Sequence, residues 1–532
     1  MIDKKHGFNR RDFLKYSAAT LATALLPDFM KETPAHAAAL PEVDYGMPLR
    51  IANCSVVDVS RGATVPGRTI TMDRGVITAI EPYRPEHDAM TGSIDANGCH
   101  VIPGLIDGHC HLTLQSCADF RIGDLSRQIS QIKNNGLMQI NAGVTTVRDM
   151  GSFPRMMRDL LKDYELGGLT GPRVIYCNGI MNINGGHPDV KPSEISIFGP
   201  LSEGITGRMN LAFTSRKELL RLLAENLESG ASFIKLTMDD RSLICGRGKI
   251  PVYADEDLAA VFDFADKKGV PVAMHSLMQF GLKRALKYPV HSMEHCTGDA
   301  LLSDEDINTM AAKKITIVPT LQIGHNFAFS ERYDTLPERY RTPFIENELR
   351  IKYDYFNAAS LGGFDPYLHA LNMASIGWFR DPGCAGMPKQ KKFMTDPEVG
   401  FEYLLHAPQN ARRMKDAGIL MGCGTDSGVP FHYHGSLWRE MAFMSRIGFR
   451  HEDILRFATV NNASIIGAGD SIGEVREGKN ADLVVLGENP LQKIEAVRAP
   501  LLVMLGGRVK AGPGLRKDDR PGRANCFTIR RY

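Results

Sequence analysis

The chain is notable first for what it lacks. None of its ten cysteines pairs with another at a metal-type spacing, which excludes a cysteine-held zinc site. In a chain of 532 residues, with the cysteines scattered through apolar stretches, they read as buried thiols and not as a disulfide framework. Charge of one sign is also missing. Lys and Arg number 63 against 61 Asp and Glu, a net charge of +2, so nothing points to nucleic acid or an anionic membrane as partner. There is no internal repeat and no long low-complexity segment. The apolar run near the N-terminus, residues 18–26, is too short to span a bilayer, which argues against a permanent membrane anchor. What remains is the composition of a soluble globular enzyme, 43% hydrophobic and 23% charged, long enough to bury a large core.

The first 37 residues read as an address. Asn9-Arg10-Arg11-Asp12-Phe13-Leu14-Lys15 resembles a twin-arginine export motif, the short apolar run follows it, and Ala35-His36-Ala37 offers a small-x-small cleavage site. The expectation is a signal peptide over 1–37, recognised by the twin-arginine export machinery of a bacterium, and a periplasmic mature protein. That route carries proteins already folded.

From about Met47 the pattern is short alternating strands with tight turns, and the same texture returns near residues 481–509. The two pieces, 42–100 and 471–512, are expected to form one small β-sandwich domain from both terminal regions, followed by an irregular tail over 513–532. Between them apolar strands alternate with helical stretches. Candidate strands are 101–106, 144–149, 174–179, 233–237, 270–275, 292–295, 315–320 and 419–424. Eight βα strands predict an α/β fold, a (β/α)8 TIM barrel over 101–470. An open doubly wound sheet would want a glycine-rich phosphate loop after its first strand, and none is there.

Chemistry-bearing residues recur at the strand ends. In Pro103-Gly104-Leu105-Ile106-Asp107-Gly108-His109-Cys110-His111 the two histidines alternate onto one side, where neutral imidazoles can bind a metal ion. Lys235 lies in Phe-Ile-Lys-Leu, His275 ends Val-Ala-Met-His, His295 follows Met-Glu, and Asp426 sits among small residues in Gly-Thr-Asp-Ser-Gly. Singly, His275 reads equally as a satisfied core histidine and His295 as a surface residue, and a structural salt bridge is the lesser alternative for Lys235. Together they resemble the amidohydrolase superfamily, as does the closing Gly478-Lys479-Asn480-Ala481-Asp482-Leu483. The likeness runs from Leu49 to about Val509.

That resemblance implies a binuclear metal centre. His109, His111 and Asp426 would hold one ion, His275 and His295 the other, and Lys235, carboxylated by CO2, would bridge them. The donor set suits zinc, with manganese, cobalt or nickel as substitutes. Further details look like the imidazolonepropionase-like and Xaa-Pro dipeptidase branch: Gly171-Pro-Arg-Val, then Asn184-Gly-Gly-His187. By the same resemblance His187 would contact the substrate carbonyl and Tyr253 the substrate; the alternative for His187 is a loop histidine capping backbone. Pro188 and the long connection between strands 7 and 8 depart from the pattern.

The activity implied is metal-dependent hydrolysis of a C–N amide bond, in a dipeptide or N-acyl amino acid, by a metal-bridging hydroxide. Asp426 would take the nucleophile's proton and pass it to the leaving nitrogen. The alternatives are hydrolysis of a cyclic amide or lactone, deamination, or a catalytically silent scaffold. The connection at 325–406 is too long for bare loop. Its apolar residues, Trp378 and Phe379 among them, are expected to fold over the strand ends as a wall of the pocket. Packing on outer helices, or on a sister subunit in a homo-oligomer, is the other reading.

Overall fold

The computed structural model describes residues 49–89, 92–118, 122–187, 207–241, 249–328, 336–357, 362–379, 397–512 and 528–529. The export segment, Pro188 and all of the C-terminal tail except 528–529 lie outside them. The architecture is mixed α/β, with the strands in three sheets.

The first sheet draws on both ends of the chain. Strands β1 (Leu49–Asp58), β2 (Ala63–Asp73), β3 (Val76–Pro82), β4 (Ser93–Asp95) and β5 (His100–Pro103) come from the N-terminal side. The C-terminal side adds four short strands, of which Leu483–Leu486 pairs antiparallel with β5. Arg74 and Gly75, at φ 47° and 83°, make the two-residue turn between β2 and β3, both in the left-handed region that such hairpins require. Ile51, Ile70, Ile77, Val101, Val485 and Met504 form a core for this sheet.

Residues 101–106 are not the single strand expected. The chain breaks at Gly104, whose N–H donates to the Asp482 carbonyl at 2.7 Å, and β6 (Leu105–Cys110) starts in a different sheet. A side chain at Gly104 would run into Thr145, so only glycine lets the strand cross between sheets here.

Parallel strands then follow with helices between them. Strand β6 is followed by α1 (Leu125–Asn141), β7 (Val144–Asp149), α2 (Pro154–Glu165) and β8 (Arg173–Tyr176). The third expected strand is interrupted after Tyr176: Asn178 adopts φ 56°, and the chain resumes as β9 (Ile180–Ile183), beside which runs β10 (Asn210–Phe213). The next elements are α3 (Arg216–Glu228), β11 (Ile234–Thr237), α4 (Asp255–Lys268), β12 (Val272–His275), α5 (Gln279–Ala285), β13 (Ser292–Glu294), α6 (Asp304–Ala312) and β14 (Thr316–Val318). Helix α4 shows why such segments are helical. Asp255, Glu256 and Asp257 occupy its first turn, Lys267 and Lys268 its last, and Gly269 ends it at φ 65°.

Sheet order is β6-β7-β8 in one parallel sheet and β10-β9-β11-β12-β13-β14 in the other. The backbone also bonds beyond the named strands. Ser232 N–H reaches the Tyr176 carbonyl at 2.8 Å, Ile317 and Gly422 bond the 419–424 segment to β14, and Gly108 N–H reaches the Cys423 carbonyl at 2.9 Å.

The long connection after β14 contains α7 (Gln322–Phe327), α8 (Pro343–Phe356), α9 (Pro366–Phe379) and α10 (Pro397–Asp416). After Asp426 comes α11 (Leu437–Arg446). Among the described residues no helix is long and apolar enough to cross a membrane.

Candidate metal centre

The parallel strands bring the polar groups to one place, at or near their C-terminal ends. His109 lies near the end of β6 and His111 just beyond it; Lys235 is on β11, His275 ends β12, and His295 follows β13. Asp426 comes after the 419–424 segment, at φ 55°, and His295 has φ 73°. Two such non-glycine residues in the left-handed region at one site mark backbone shaped by the surroundings and not by local preference.

Nε2 of His109 and Nε2 of His111 lie 3.2 and 3.0 Å from the same oxygen, Asp426 Oδ1. Ligand atoms of His109, His295 and Asp426 all fall within 4.8 Å of one another. The His275 ring meets that of His295 edge-on at 4.4 Å, and the His187 ring stacks on His275 at 4.5 Å. All of these residues are buried.

The other ring nitrogens explain the orientations. His109 Nδ1 lies 2.9 Å from Glu294 Oε2, and His111 Nδ1 lies 2.8 Å from the Gly151 carbonyl oxygen. Both acceptors require an N–H, so each Nδ1 carries a proton and each Nε2 is the ring nitrogen turned towards Asp426. His295 Nδ1 sits 2.6 Å from Thr320 Oγ1, whose own proton goes to the Pro319 carbonyl. His295 Nδ1 must therefore donate as well. Such outward hydrogen bonds are how metal-binding imidazoles are aimed. Glu294 in turn is held by Arg148 at 2.8 Å. Burial would raise its pKa, but the Arg148 charge and the His109 hydrogen bond pull the carboxyl down to about 2.

The electrostatics suit cations in the space between. Burial, with the neighbouring Lys235 charge, pushes His275 well below its ordinary value, and burial and His275 do the same to His295. Burial works against the Asp426 carboxylate, yet His109 and His111 hold it well below the usual range. His111 moves up, burial being outweighed by the Asp426 hydrogen bond and charge. Lys235 Nζ, His275 Nε2 and Asp426 Oδ1 are all buried without a hydrogen bond. Buried Lys235 and His275 nitrogens without partners, beside the Asp426 carboxylate and the inward-facing imidazoles, fit a set of ligands for divalent ions.

Tyr253 is not brought into this set. Its hydroxyl donates to the Met181 carbonyl at 2.6 Å and its ring packs on Phe213, which ties it to β9. Sequence reading missed Glu294, Arg148 and Thr320. The one local signal was Glu294 directly before His295. It also passed over Asp239, which accepts from Ser276 and from the Leu277 N–H and lies 3.4 Å from His275.

Known proteins bear on the same residues. The amidohydrolase family profile matches residues 100–510, and the twin-arginine translocation signal profile matches residues 7–27. An Aspergillus niger ochratoxinase is 22% identical over 438 residues, covering 78% of this chain and 76% of its own. An imidazolonepropionase from Shouchella clausii is 31% identical over 184 residues, 30% of this chain and 40% of its own. Among solved structures, a Xaa-Pro dipeptidase with bound methionine in the active site superposes with a TM-score of 0.63 at 21% identity, covering 88% of this chain and all of that one. The signal sequence directs the protein to the bacterial periplasm by the twin-arginine route. The chain belongs to the amidohydrolase family, and it is a hydrolytic enzyme acting on C–N bonds.

Proposed function

We propose that the enzyme hydrolyses the amide bond of a dipeptide or N-acyl amino acid at a binuclear centre of divalent ions, with zinc the best match to the donors. His109, His111 and Asp426 would hold one ion, His275 and His295 the other, and Lys235 as a carbamate would bridge them. Ions held there lower the pKa of water towards neutrality and polarise a carbonyl.

The chain's own groups do the rest. Asp426 Oδ1 accepts the proton of the attacking water and returns it to the leaving nitrogen, which its ionised state permits. Burial and the nearby His275 lower His187 to about 3, so it is neutral and offers an N–H to the substrate carbonyl without adding charge. Burial lowers Lys235 to about 8, which leaves part of it as free amine near neutral pH. Free amine is the form that adds CO2, giving a carbamate and releasing a proton.

This reading rests on an eight-stranded (β/α)8 barrel with a separate terminal β domain, divided near residues 101 and 470. Supporting closure are the bonds that link Tyr176 to Ser232, β14 to 419–424, and Cys423 to Gly108. The likeness to ochratoxinase and Xaa-Pro dipeptidase favours an open amide, and that to imidazolonepropionase favours a cyclic amide as the second reading.

The observation that carries the proposal is the convergence of two Nε2 atoms on Asp426 Oδ1 beside the unpartnered Lys235 Nζ. Elemental analysis of the mature protein should find about two equivalents of metal, the number the six donors imply. Dipeptides and N-acyl amino acids should be cleaved ahead of cyclic amides. Asp426→Asn should lower turnover by roughly 10²–10⁴-fold, the usual worth of a general acid–base group. No bound metal after supplementation, or near-normal turnover in that variant, would sink the mechanism.

A further inference from the structure

A buried guanidinium with no carboxylate at ion-pair distance lies on the helix that follows the Asp426 loop. Arg439, on α11, is only 4% exposed, and its Nη1 is buried without a hydrogen bond. Its neighbours along the helix are differently placed. Arg446 makes a bidentate pair with Glu348 at 2.6 and 2.7 Å, and the Glu440 carboxylate faces the N–H groups of Leu321 and Gln322. Among the described residues no carboxylate comes within ion-pair distance of Arg439. What it has is weaker. Nη2 reaches His325 Nδ1 and Asn326 Oδ1, each at 3.4 Å, Tyr355 covers one face at 3.7 Å and hydrogen-bonds the guanidinium, and Glu440 acts with it only as a charge at a distance. Asn326 Nδ2, the adjoining donor, is also buried without a partner.

Both orphaned atoms are donors, and an arginine keeps its charge at any ordinary pH. A buried cation with a second unused donor beside it is costly unless an anion completes it. The position ties this pair of donors to the reaction. Helix α7, which carries Asn326, begins just after Thr320, whose hydroxyl orients His295. Arg439 follows the loop that leaves Asp426. His432, in that loop, packs its ring 5.2 Å from Phe327 and lies within electrostatic reach of both Asp426 and Arg439.

We infer that Arg439 and Asn326 form the subsite for a carboxylate carried by the substrate, so the enzyme selects acids over neutral amides. The inference rests on the proposed amide hydrolysis. Arg439 is a specificity-determining residue in this scheme, and its charge faces the substrate anion and not the reacting carbonyl.

Two substrate pairs test it: alanyl-proline against alanyl-pyrrolidide, and N-acetyl-L-phenylalanine against N-acetyl-2-phenylethylamine. Each pair shares its scissile amide and differs in the carboxylate. The kcat/KM ratio of acid to neutral should favour the acid in the wild type. Arg439→Met should lower that ratio about ten- to a hundredfold, the worth of a charged hydrogen bond, and Arg439→Lys should recover part. Independently of turnover, acetate should raise the melting temperature of the wild type above that in chloride at equal ionic strength. Arg439→Met should lose that response. If Arg439→Met does not fold, Asn326→Asp supplies a carboxylate from within the chain. It should melt higher than the wild type and lose both the acetate response and the acid preference. An unchanged acid-to-neutral ratio in folded Arg439→Met, or a lower melting temperature in Asn326→Asp, overturns the subsite. Chloride acting as strongly as acetate overturns it in favour of an inorganic-anion site. Amide cleavage without acid preference removes the subsite and leaves the hydrolase reading intact. An acetate response in a wild type that cleaves neither pair supports the subsite and removes the amide reading.

Discussion

Lys235 shows how much one side chain can carry. It is among the largest fully buried side chains, sits in a parallel strand, and has no acceptor for its ammonium. Glu294 and Asp426 act on it only as charges at a distance. Converting it to a carbamate would replace an unanswered cation by an anion able to bridge two ions. Lys235→Ala should therefore reduce metal content as well as activity, and small carboxylic acids should restore part of both. Full metal content in that variant would end the carbamate model. His432 makes a different residue-scale prediction. Burial pushes it down from 6.5 to about 4, so between those values the unfolded chain takes up a proton that the folded chain refuses. Its contribution is harmless above pH 6.5 and costs stability as the pH falls towards 4. At pH 5 the cost is about 2 kcal/mol. His432→Gln should remove that sensitivity. Urea titrations near neutrality and near pH 5 should show the wild type losing about 2 kcal/mol more than the variant.

At the scale of elements, the connection after β14 is fastened to the loops that follow the candidate ligands. Asn372 of α9 accepts from the Ala118 N–H at 2.7 Å and donates to the Ser116 carbonyl and the Tyr433 hydroxyl. Ser116 and Ala118 follow His111, and Tyr433 follows Asp426. Phe364 stacks on Tyr433 at 4.1 Å, and His369 Nδ1 lies 2.9 Å from its hydroxyl. The same connection also touches outer helices, through Asn134 and Gln131 of α1 and Arg446 of α11. The side chains of Trp378 and Phe379, the expected wall, lie outside the described residues. Asn372→Leu leaves the Ala118 N–H buried without its partner, at roughly 1–3 kcal/mol, while the Ser116 carbonyl keeps only the Phe431 N–H. Hydrogen exchange should then quicken in 366–375 and 112–118 together, with a rise in KM. Exchange confined to α9 would show that the helix and the loops are not coupled.

For the whole molecule, one nine-stranded sheet contains both β1 and Leu502–Leu505, so it cannot be complete until the C-terminal strands have been made. Export of an already folded chain fits that order of events. The signal at residues 7–27 precedes the first strand. Replacing Arg10 and Arg11 by lysine should hold the precursor in the cytoplasm, as followed by cell fractionation and immunoblotting. A cleaved periplasmic product from that variant would mean that another route carries it.

Local pattern was enough for several features because neighbours in sequence encode them. Apolar runs ending in His109 or His275 mark strand ends, whereas the run before Asp426, expected as a strand over 419–424, makes only an isolated bridge at Met421; the Arg10-Arg11 pair with its short apolar run marks the export signal, and the ordered motifs mark the amidohydrolase family. Features made between distant residues had no such signature. His109 meets Glu294 across 185 positions and Arg148 meets Glu294 across 146, so neither contact has a periodicity to betray it. The break at Gly104 depended on Thr145 and Asp482, both far along the chain. Ring protonation at His109, His111 and His295 was decided by whichever acceptor each Nδ1 happened to face. The missing carboxylate at Arg439 is a fact about three-dimensional surroundings, since sequence alone offers Glu440 beside it and tertiary structure turns that carboxylate elsewhere.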